Sequence, residues 1–497
     1  MDSNSIILNP DYHFKNDIDR IILYSGKKVQ DYSSSDWISY IHPVQALILD
    51  AFSKEDSCLK QLEKISSSLN LPVNIIEKLI RPFIENETPV YTEFKGQKIL
   101  FPKNVLVGKN KIDSKQNICR SACNFNCESV NLIPDRMHKA PQTLLFMLTN
   151  KCITNCKYCY ADRKTKYLPL KTDKILNLIE ESAKLGMTYI DVIGGEIFCR
   201  QDWNVILKKM VDLDLSPNYI STKVPILENN IKLLRDTGYN NVVQISLDSL
   251  NEEILKDIIG CNLDYVNRMK HTIDLLCQYG FMVQIDTILT KQNTAEVYIK
   301  ELFDYIKTIP NLVYWEIRVP EVSIYTPIQF KEIQASKKQI NDIGEYIKSV
   351  IISQAKFKIY YSDEAIREEF YQGKITDECF NGGMCGILQN RLFVLPDGKV
   401  SVCEQLYWDS QFIIGDLTQQ TISEVWNSSK ALKLFNMKKD MIRSESRCFN
   451  CKSLKSCNIR HRRCFVKTIK AYGTENWDYP DPRCIYAPEI HSDLLYR

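Results

Sequence analysis

The stretch KCITNCKYCY, residues 151–160, sets Cys152, Cys156 and Cys159 at C-x3-C-x2-C spacing, with the aromatic Tyr158 just before the last thiol. Three thiols this close along the chain can converge on one inorganic centre. Iron–sulfur clusters ordinarily take four protein thiolates, so a three-cysteine loop leaves one iron open to a substrate or cofactor. Two plainer arrangements share the spacing: three separate buried thiols, or part of a zinc site. The surrounding chain has to decide between them.

A chain of 497 residues exceeds what one hydrophobic core sustains, so several domains are expected. Its 44% hydrophobic and 25% charged residues are ordinary for a soluble globular protein. A net charge of +3 gives no electrostatic case for nucleic acid or for a membrane surface. The opening MDSNSIILNPDYHF lacks the basic region and apolar core of a signal peptide. No apolar run is long enough to span a bilayer, so a cytoplasmic location is expected. The 18 cysteines are then unusual, because a reducing compartment discourages disulfides and favours metal binding or thiol chemistry.

On either side of the cysteine loop, strand-like runs alternate with amphipathic helices. The runs are 143–148, 189–193, 217–221, 242–247, 283–289 and 312–317. Repeated βα units argue for a parallel sheet covered by helices. The loop follows the first run, so it falls at the C-terminal edge of the strands, where such folds carry their chemistry. The second run ends in Gly194-Gly195-Glu196: glycine lets main chain approach a ligand closely, and glutamate can pair with an ammonium group. The third ends in Ser221-Thr222-Lys223 and the fourth in Ser246-Leu247-Asp248. Asp248 suits a ligand contact or a cap for the following helix equally well.

Taken in this order, the C-x3-C-x2-C loop, the glycine–glutamate strand end and the polar strand ends resemble the radical SAM superfamily. The resemblance implies an α/β fold with a partial (β/α)6 TIM barrel, covering 142–335. It implies a [4Fe-4S] cluster on Cys152, Cys156 and Cys159, with the fourth iron chelated by S-adenosylmethionine. Reductive cleavage of that cofactor yields a 5'-deoxyadenosyl radical. Gly194, Gly195 and Glu196 are similar to the family's GGEP motif, which contacts the methionine amino group; Ile197 stands where that motif has proline. Ser221 and Ser246 match cofactor-binding positions by type and place, and the resemblance adds Tyr158 and, in its ligand-contact reading, Asp248 to the cofactor-binding residues.

Toward the C-terminus, a helix around 338–354 within residues 336–375 is expected to bridge away from the barrel. Residues 376–497 hold Cys379, Cys385, Cys403, Cys448, Cys451, Cys457, Cys464 and Cys484. Within them FVLPDGKVSVC reads as a hairpin turned at Asp397-Gly398. Short hairpins and loops with little core need metal to hold them. The spacings resemble the SPASM iron–sulfur domain, which carries two auxiliary [4Fe-4S] clusters, three clusters in all. The resemblance assigns Cys379, Cys385 and Cys403 to the first auxiliary cluster, and Cys448, Cys451, Cys457 and Cys484 to the second. The usual fourth ligand of the first falls at His461; Cys464 is preferred, since thiolate is the usual ligand. Arg462-Arg463 reads as a solvated face. In sulfatase-maturing relatives an acidic residue in the place of Glu404 accepts a proton during substrate oxidation, and a carboxylate beside an anionic cluster would resist ionisation enough to be basic; a plain surface glutamate is the equal alternative.

Toward the N-terminus, residues 1–110 show strands, three helical stripes and a terminal β-hairpin, a winged-helix-like order. Asn70 is a candidate cap for the third helix. That helix sets Lys78 and Arg81 against Glu77 and Glu85, which argues against phosphate binding. The region resembles the PqqD-like recognition element of peptide-modifying radical SAM enzymes. The resemblance implies a ribosomally made precursor peptide taken as an added strand, an electron donor of flavodoxin or ferredoxin type, and no nucleic acid or membrane partner. A Cys thioether is the leading product; carbon–carbon cross-linking, formylglycine formation and a redox-sensing DNA-binding regulator are the alternatives. Residues 111–141 read as a linker containing Cys119, Cys123 and Cys127, whose role stays open.

Overall fold

The computed structural model describes residues 6–25, 37–53, 57–111, 129–368, 370, 385–459, 463–492 and 494–496. Cys119, Cys123, Cys127, Cys379 and His461 lie outside the described residues. The chain divides into two compact units, Met1–Ala140 and Pro141–Arg497.

The first unit runs β1 (Ile6–Leu8), β2 (Tyr12–Asn16), β3 (Ile21–Ser25), β4 (Ile38–Ile41), α1 (Pro43–Asp50), α2 (Cys58–Leu69), α3 (Val73–Ile80), β5 (Val90–Phe94), β6 (Gln97–Phe101) and β7 (Leu106–Gly108). β2, β3 and β4 form an antiparallel sheet, β5 and β6 a hairpin, and β7 pairs back with β1. Pro43 opens α1, where the His42 side chain accepts from the Val44 N–H and Gln45 reaches back to the His42 N–H. Asn70 does not start α3. It closes α2 in the left-handed conformation at φ 51, and Pro72 stands at the entrance of α3 without a side-chain cap. Asparagine tolerates that conformation better than most residues. Ile76 and Ile80 then point into a core shared with Leu62, Phe52 and Phe101.

Part of the expected linker belongs to this unit. Arg20 is fully buried, and its guanidinium donates to Asp17 at 2.9 Å and to the carbonyls of Ile133 and Arg136. The same guanidinium lies over the Tyr40 ring. Asp17 in turn accepts from the backbone N–H groups of His138 and Lys139 at 2.7 and 2.8 Å. A polar, aperiodic sequence thus docks through backbone groups, which periodicity does not register.

The second unit begins with β8 (Thr143–Thr149), α4 (Thr172–Lys184), β9 (Tyr189–Gly194), α5 (Trp203–Asp212), β10 (Tyr219–Thr222), α6 (Glu228–Asp236) and β11 (Val242–Ser246). It continues through α7 (Glu252–Ile259), α8 (Tyr265–Gln278), β12 (Val283–Ile288), α9 (Glu296–Ile306) and β13 (Leu312–Arg318). The six strands fall where the six apolar runs were read. They form two sheets: β8 pairs in parallel with β9, and β10 through β13 pair in parallel in sequence order. β9 and β10 sit in separate ladders.

The segment after β13 does not lead away from the barrel. α10 (Pro327–Ile333) and α11 (Lys337–Tyr346) precede a π-helical turn at Ile347–Ile351, and the chain returns as β14 (Lys358–Ser362), parallel to β13. It is one more βα unit, whose strand KIYYS is too polar to read as a buried run. At the other edge, β15 (Arg391–Val394) pairs in parallel with β8, and β16 (Lys399–Ser401) and β17 (Ile413–Asp416) extend that sheet antiparallel. Gly398, at φ 88, makes the expected turn between β15 and β16. Among the described residues no helix is long and apolar enough to cross a membrane.

Arg20 offers a test of the first unit. Arg20→Met leaves the buried Asp17 carboxylate without its cation, which typically costs about 3–5 kcal/mol. The expected outcome is a fall of that size in the urea-unfolding free energy of the transition reporting on Trp37 fluorescence.

Candidate functional site

The cysteine loop leaves the C-terminal end of β8 and is pinned on several sides. The Asn150 side-chain amide donates to the carbonyls of Asp162 and Thr165. The N–H groups of Asn155 and Lys157 donate to the carbonyls of Ile259 and Ile258 at the end of α7. Cys152 and Cys156 both approach the Thr154 hydroxyl, at 3.2 and 3.5 Å. Burial is the main cause that pushes the Cys156 thiol up to about 11 and raises that of Cys159.

The strand end after β9 is fitted to this loop. Gly195 N–H donates to the Thr149 carbonyl and Glu196 N–H to the Lys151 carbonyl, each at 2.7 Å. A Cβ on Gly195 would stand 2.0 Å from the Lys151 carbonyl oxygen, and one on Gly194 2.3 Å from that of Thr149. Gly194 also holds φ 145. The glycines are required by the approach of one main chain to another.

Glu196 is 2% exposed. Its carboxyl accepts from the Thr222 hydroxyl at 2.8 Å and more weakly from the N–H groups of Phe198 and Lys223. Burial outweighs those bonds and pushes it up to about 7. Asp248 does not cap α7; Asn251 does that, accepting from Glu253 and Ile254. Asp248 instead accepts from the Tyr158 hydroxyl, from Lys223 Nζ at 3.0 Å and from the Ile288 N–H at 3.0 Å. The cysteine loop is thereby tied to the ends of β10, β11 and β12. Ser221 and Ser246 stand half-buried at neighbouring strand ends. Thr222 and Lys223, in the same strand end as Ser221, carry no sequence signal of these contacts to Glu196 and Asp248.

The strands turn a polar face inward. Ser221, Gln244 and Gln284 are in register, and Ser246, Asp286 and Glu316 form the next row. Tyr219 shares this face and lies among Asp191, Asp286, Arg318 and Glu404. Arg318 donates to Asp286. Tyr160, 42% exposed, borders the same space beside Glu404, Tyr219 and Arg318. Burial raises the Glu404 carboxyl and nearby Asp191 adds to the shift, while Arg391 opposes it.

Two more groups of cysteines line cavities in the C-terminal third. Cys448, Cys451, Cys457 and Cys484 surround one. Cys385, Cys403 and Cys464 surround the other, so Cys464 stands with the thiols its assignment requires. Burial pushes the Cys464 and Cys484 thiols up to about 11. The fourteen described cysteines are all free thiols. Among the described residues no three His, Cys, Asp or Glu side chains close on a single metal ion. Sulfurs ringing a cavity suit a polynuclear centre better than a zinc ion, and crowded buried thiols ionise when such a cation compensates them. The donor sets therefore fit iron–sulfur clusters. Arg463 is no solvated face: it lines both cavities and donates to Cys448 Sγ at 2.8 Å. Arg462 lies outside the described residues.

Residues 146–306 match the model of the radical SAM superfamily, and residues 385–452 that of the SPASM iron–sulfur cluster-binding domain. The chain is thus an enzyme with a radical SAM domain and a SPASM domain, and its cofactors are iron–sulfur clusters and S-adenosylmethionine. The AdoMet-dependent heme synthase of Methanosarcina barkeri is 24% identical over 71% of this chain and 98% of its own. The PqqA peptide cyclase of Granulibacter bethesdensis is 20% identical over 71% of this chain and 89% of its own. In fold, the chain is similar to Streptococcus suis SuiB bound to its precursor peptide SuiA, with a TM-score of 0.61 at 14% identity over 96% of this chain and 98% of that one.

Gly195→Ala tests the fit of β9 to the cysteine loop. Forcing a methyl group against a carbonyl costs about 1–3 kcal/mol or more. The expected outcome is a lower denaturation midpoint together with loss of iron from one centre, read as iron per chain after anaerobic reconstitution.

Proposed function

We propose that this enzyme is a peptide maturase: it removes hydrogen from a carbon of a ribosomally made precursor peptide and installs a cross-link. The observation that carries the reading is the combination, in one unit, of a barrel-end cysteine loop with two further cysteine-lined cavities. Two findings support a peptide substrate. The PqqA peptide cyclase is a relative, and the fold likeness to the peptide-bound SuiB spans 96% of the chain, the first unit included. The heme synthase relative has a different substrate, so sequence similarity alone supports the radical chemistry more strongly than the substrate.

In this reading residues 1–110 form a winged-helix-like, PqqD-like element that holds the peptide, with its β-sheet edge as the docking strand. Residues 142–335 form the radical SAM barrel, and residues 376–497 the SPASM domain. Cys152, Cys156 and Cys159 hold the first cluster. Cys385, Cys403 and Cys464, with Cys379, hold the second, and Cys448, Cys451, Cys457 and Cys484 the third. Gly194, Gly195, Glu196, Tyr158, Ser221, Ser246 and Asp248 shape the cofactor pocket. When bound, the first cluster and S-adenosylmethionine supply the hydrogen-abstracting radical. The polar barrel face excludes bulk water and orients the substrate carbon. Glu404, its carboxyl raised by burial, takes the proton released when a cysteine sulfur bonds to carbon. In balance the substrate gives up one hydrogen atom, one proton, which Glu404 would take, and one electron, for which an auxiliary cluster held by these cysteines would be the acceptor. A flavodoxin- or ferredoxin-type donor supplies the reducing electron.

A Cys thioether is the leading product. Carbon–carbon cross-linking is the second reading, supported by the peptide cyclase relative. Anaerobic incubation of reconstituted enzyme with a precursor peptide encoded beside its gene is expected to give 5'-deoxyadenosine and a peptide lighter by about two hydrogens, as this oxidation requires. Loss of one alkylatable thiol per cross-link marks a thioether; an unchanged thiol count marks a carbon–carbon bond. Unmodified peptide with no 5'-deoxyadenosine refutes the proposal.

The raised Glu196 carboxyl gives a pH test. It is protonated below about 7 and charged above, and only the charged form pairs with an ammonium group. Cofactor affinity measured by equilibrium dialysis is expected to rise between pH 6 and 8, on the order of tenfold for one coupled proton. Glu196→Gln should bind weakly with a flat profile. In the cofactor-free protein the same raised value makes Glu196 favour folding below the unfolded carboxyl range, an advantage lost as pH rises through 7.

A further inference from the structure

Arg463 sits at the junction of the two auxiliary cavities and lines both. Its Nη2 donates to Cys448 Sγ at 2.8 Å, while Nη1 reaches the Met437 sulfur at 3.3 Å and the Asp478 carbonyl at 3.4 Å. The side chain is thus aimed at the cavity of Cys448, Cys451, Cys457 and Cys484. Its main chain is bonded directly to Cys464, which lines the other cavity. The peptide link and the guanidinium together make an unbroken path from one sulfur set to the other.

The two sulfur sets are solvated differently by the protein. Cys385, Cys403 and Cys464 receive hydrogen bonds from the neutral backbone N–H groups of Ile387, Gln405 and Lys467, while Arg391 and Lys467 act on Cys385 and Cys464 as nearby charges. Cys448 receives a permanent cation. Hydrogen bonds to cluster sulfurs, and net charge beside them, set reduction potential, and charge-assisted bonds are roughly twice as strong as neutral ones. A guanidinium on one thiolate stabilises the more negative, reduced state of that centre.

We propose that Arg463 is a positioning residue that raises the reduction potential of the Cys448/Cys451/Cys457/Cys484 centre above that of the Cys385/Cys403/Cys464 centre and couples the two, so that an electron arriving on the barrel side passes outward. The inference rests on the cluster assignments proposed above. It requires no new co-reactant: the electron is the one released by substrate oxidation, and the outer centre is reduced by it.

The test is an EPR-monitored redox titration of the anaerobically reconstituted full chain, comparing wild type with Arg463→Met and Arg463→Lys. Arg463→Met is expected to shift one auxiliary signal to lower potential and leave the other two clusters in place. Arg463→Lys, which keeps the charge but not the geometry, is expected to shift the same signal by less. Full iron content with all potentials unchanged in both variants overturns the inference while leaving the cluster assignments standing. A wild-type protein with only one auxiliary centre overturns the assignments themselves. Should Arg463→Met lose that centre, the lysine variant decides: a downward shift supports the proposal, and no shift refutes it.

Discussion

Everything at the barrel mouth depends on how closely two stretches of main chain approach. The end of β9 meets the start of the cysteine loop through two backbone hydrogen bonds of 2.7 Å. That spacing leaves no room for a Cβ at Gly195, where one would stand 2.0 Å from a carbonyl oxygen. The same contact sets Glu196 beneath the loop and turns its carboxyl toward Thr222. Moving the strand end by the width of a methyl group would shift the loop and the carboxyl together. The glycine pair fixes the distance between the thiols and the buried Glu196 carboxyl.

A second constraint is electrostatic. The thiols are buried in groups, and burial is the first cause of every raised value among Cys156, Cys159, Cys464 and Cys484. Such groups resist ionising on their own, so the folded protein stores a demand that a cluster meets. Among the cations near the loop, Lys223 is held by Asp248, which also takes the Tyr158 hydroxyl, and Arg163 donates to the Cys152 carbonyl. Charge near the first site is therefore balanced locally. The polar inner face adds Asp191, Asp286, Glu316 and Glu404 beside Arg318 and Arg391.

Much of this was legible in the sequence. The six apolar runs fell on β8 to β13 because a parallel strand buried on both faces leaves a continuous hydrophobic signal. β14 was missed for the converse reason: KIYYS is half-buried at a sheet edge and carries no such signal. Residues 129–140 were read as linker because they dock by giving carbonyls and N–H groups to Arg20 and Asp17, and main-chain donors are the same in every sequence. Asn70 was assigned to the wrong helix because one residue type serves both ends, as an N-cap or in the left-handed C-terminal position. Cysteine spacing carried the resemblance that grouped the C-terminal thiols, and those among the described residues line two cavities. It gave no hint of Arg463, whose role comes from a cavity wall formed by residues far apart in the chain.

The position of Arg463 bears on why the chain departs from the usual ligand order. A histidine falls where the first auxiliary cluster ordinarily takes its fourth ligand, and Cys464 follows three residues later. Cys464 lines that cavity with Cys385 and Cys403, its N–H held by Asp481 at 2.9 Å. Moving the ligand along the chain also moves its neighbour. Arg463, next to Cys464 in the chain, lines both cavities, and its guanidinium reaches the sulfur of Cys448.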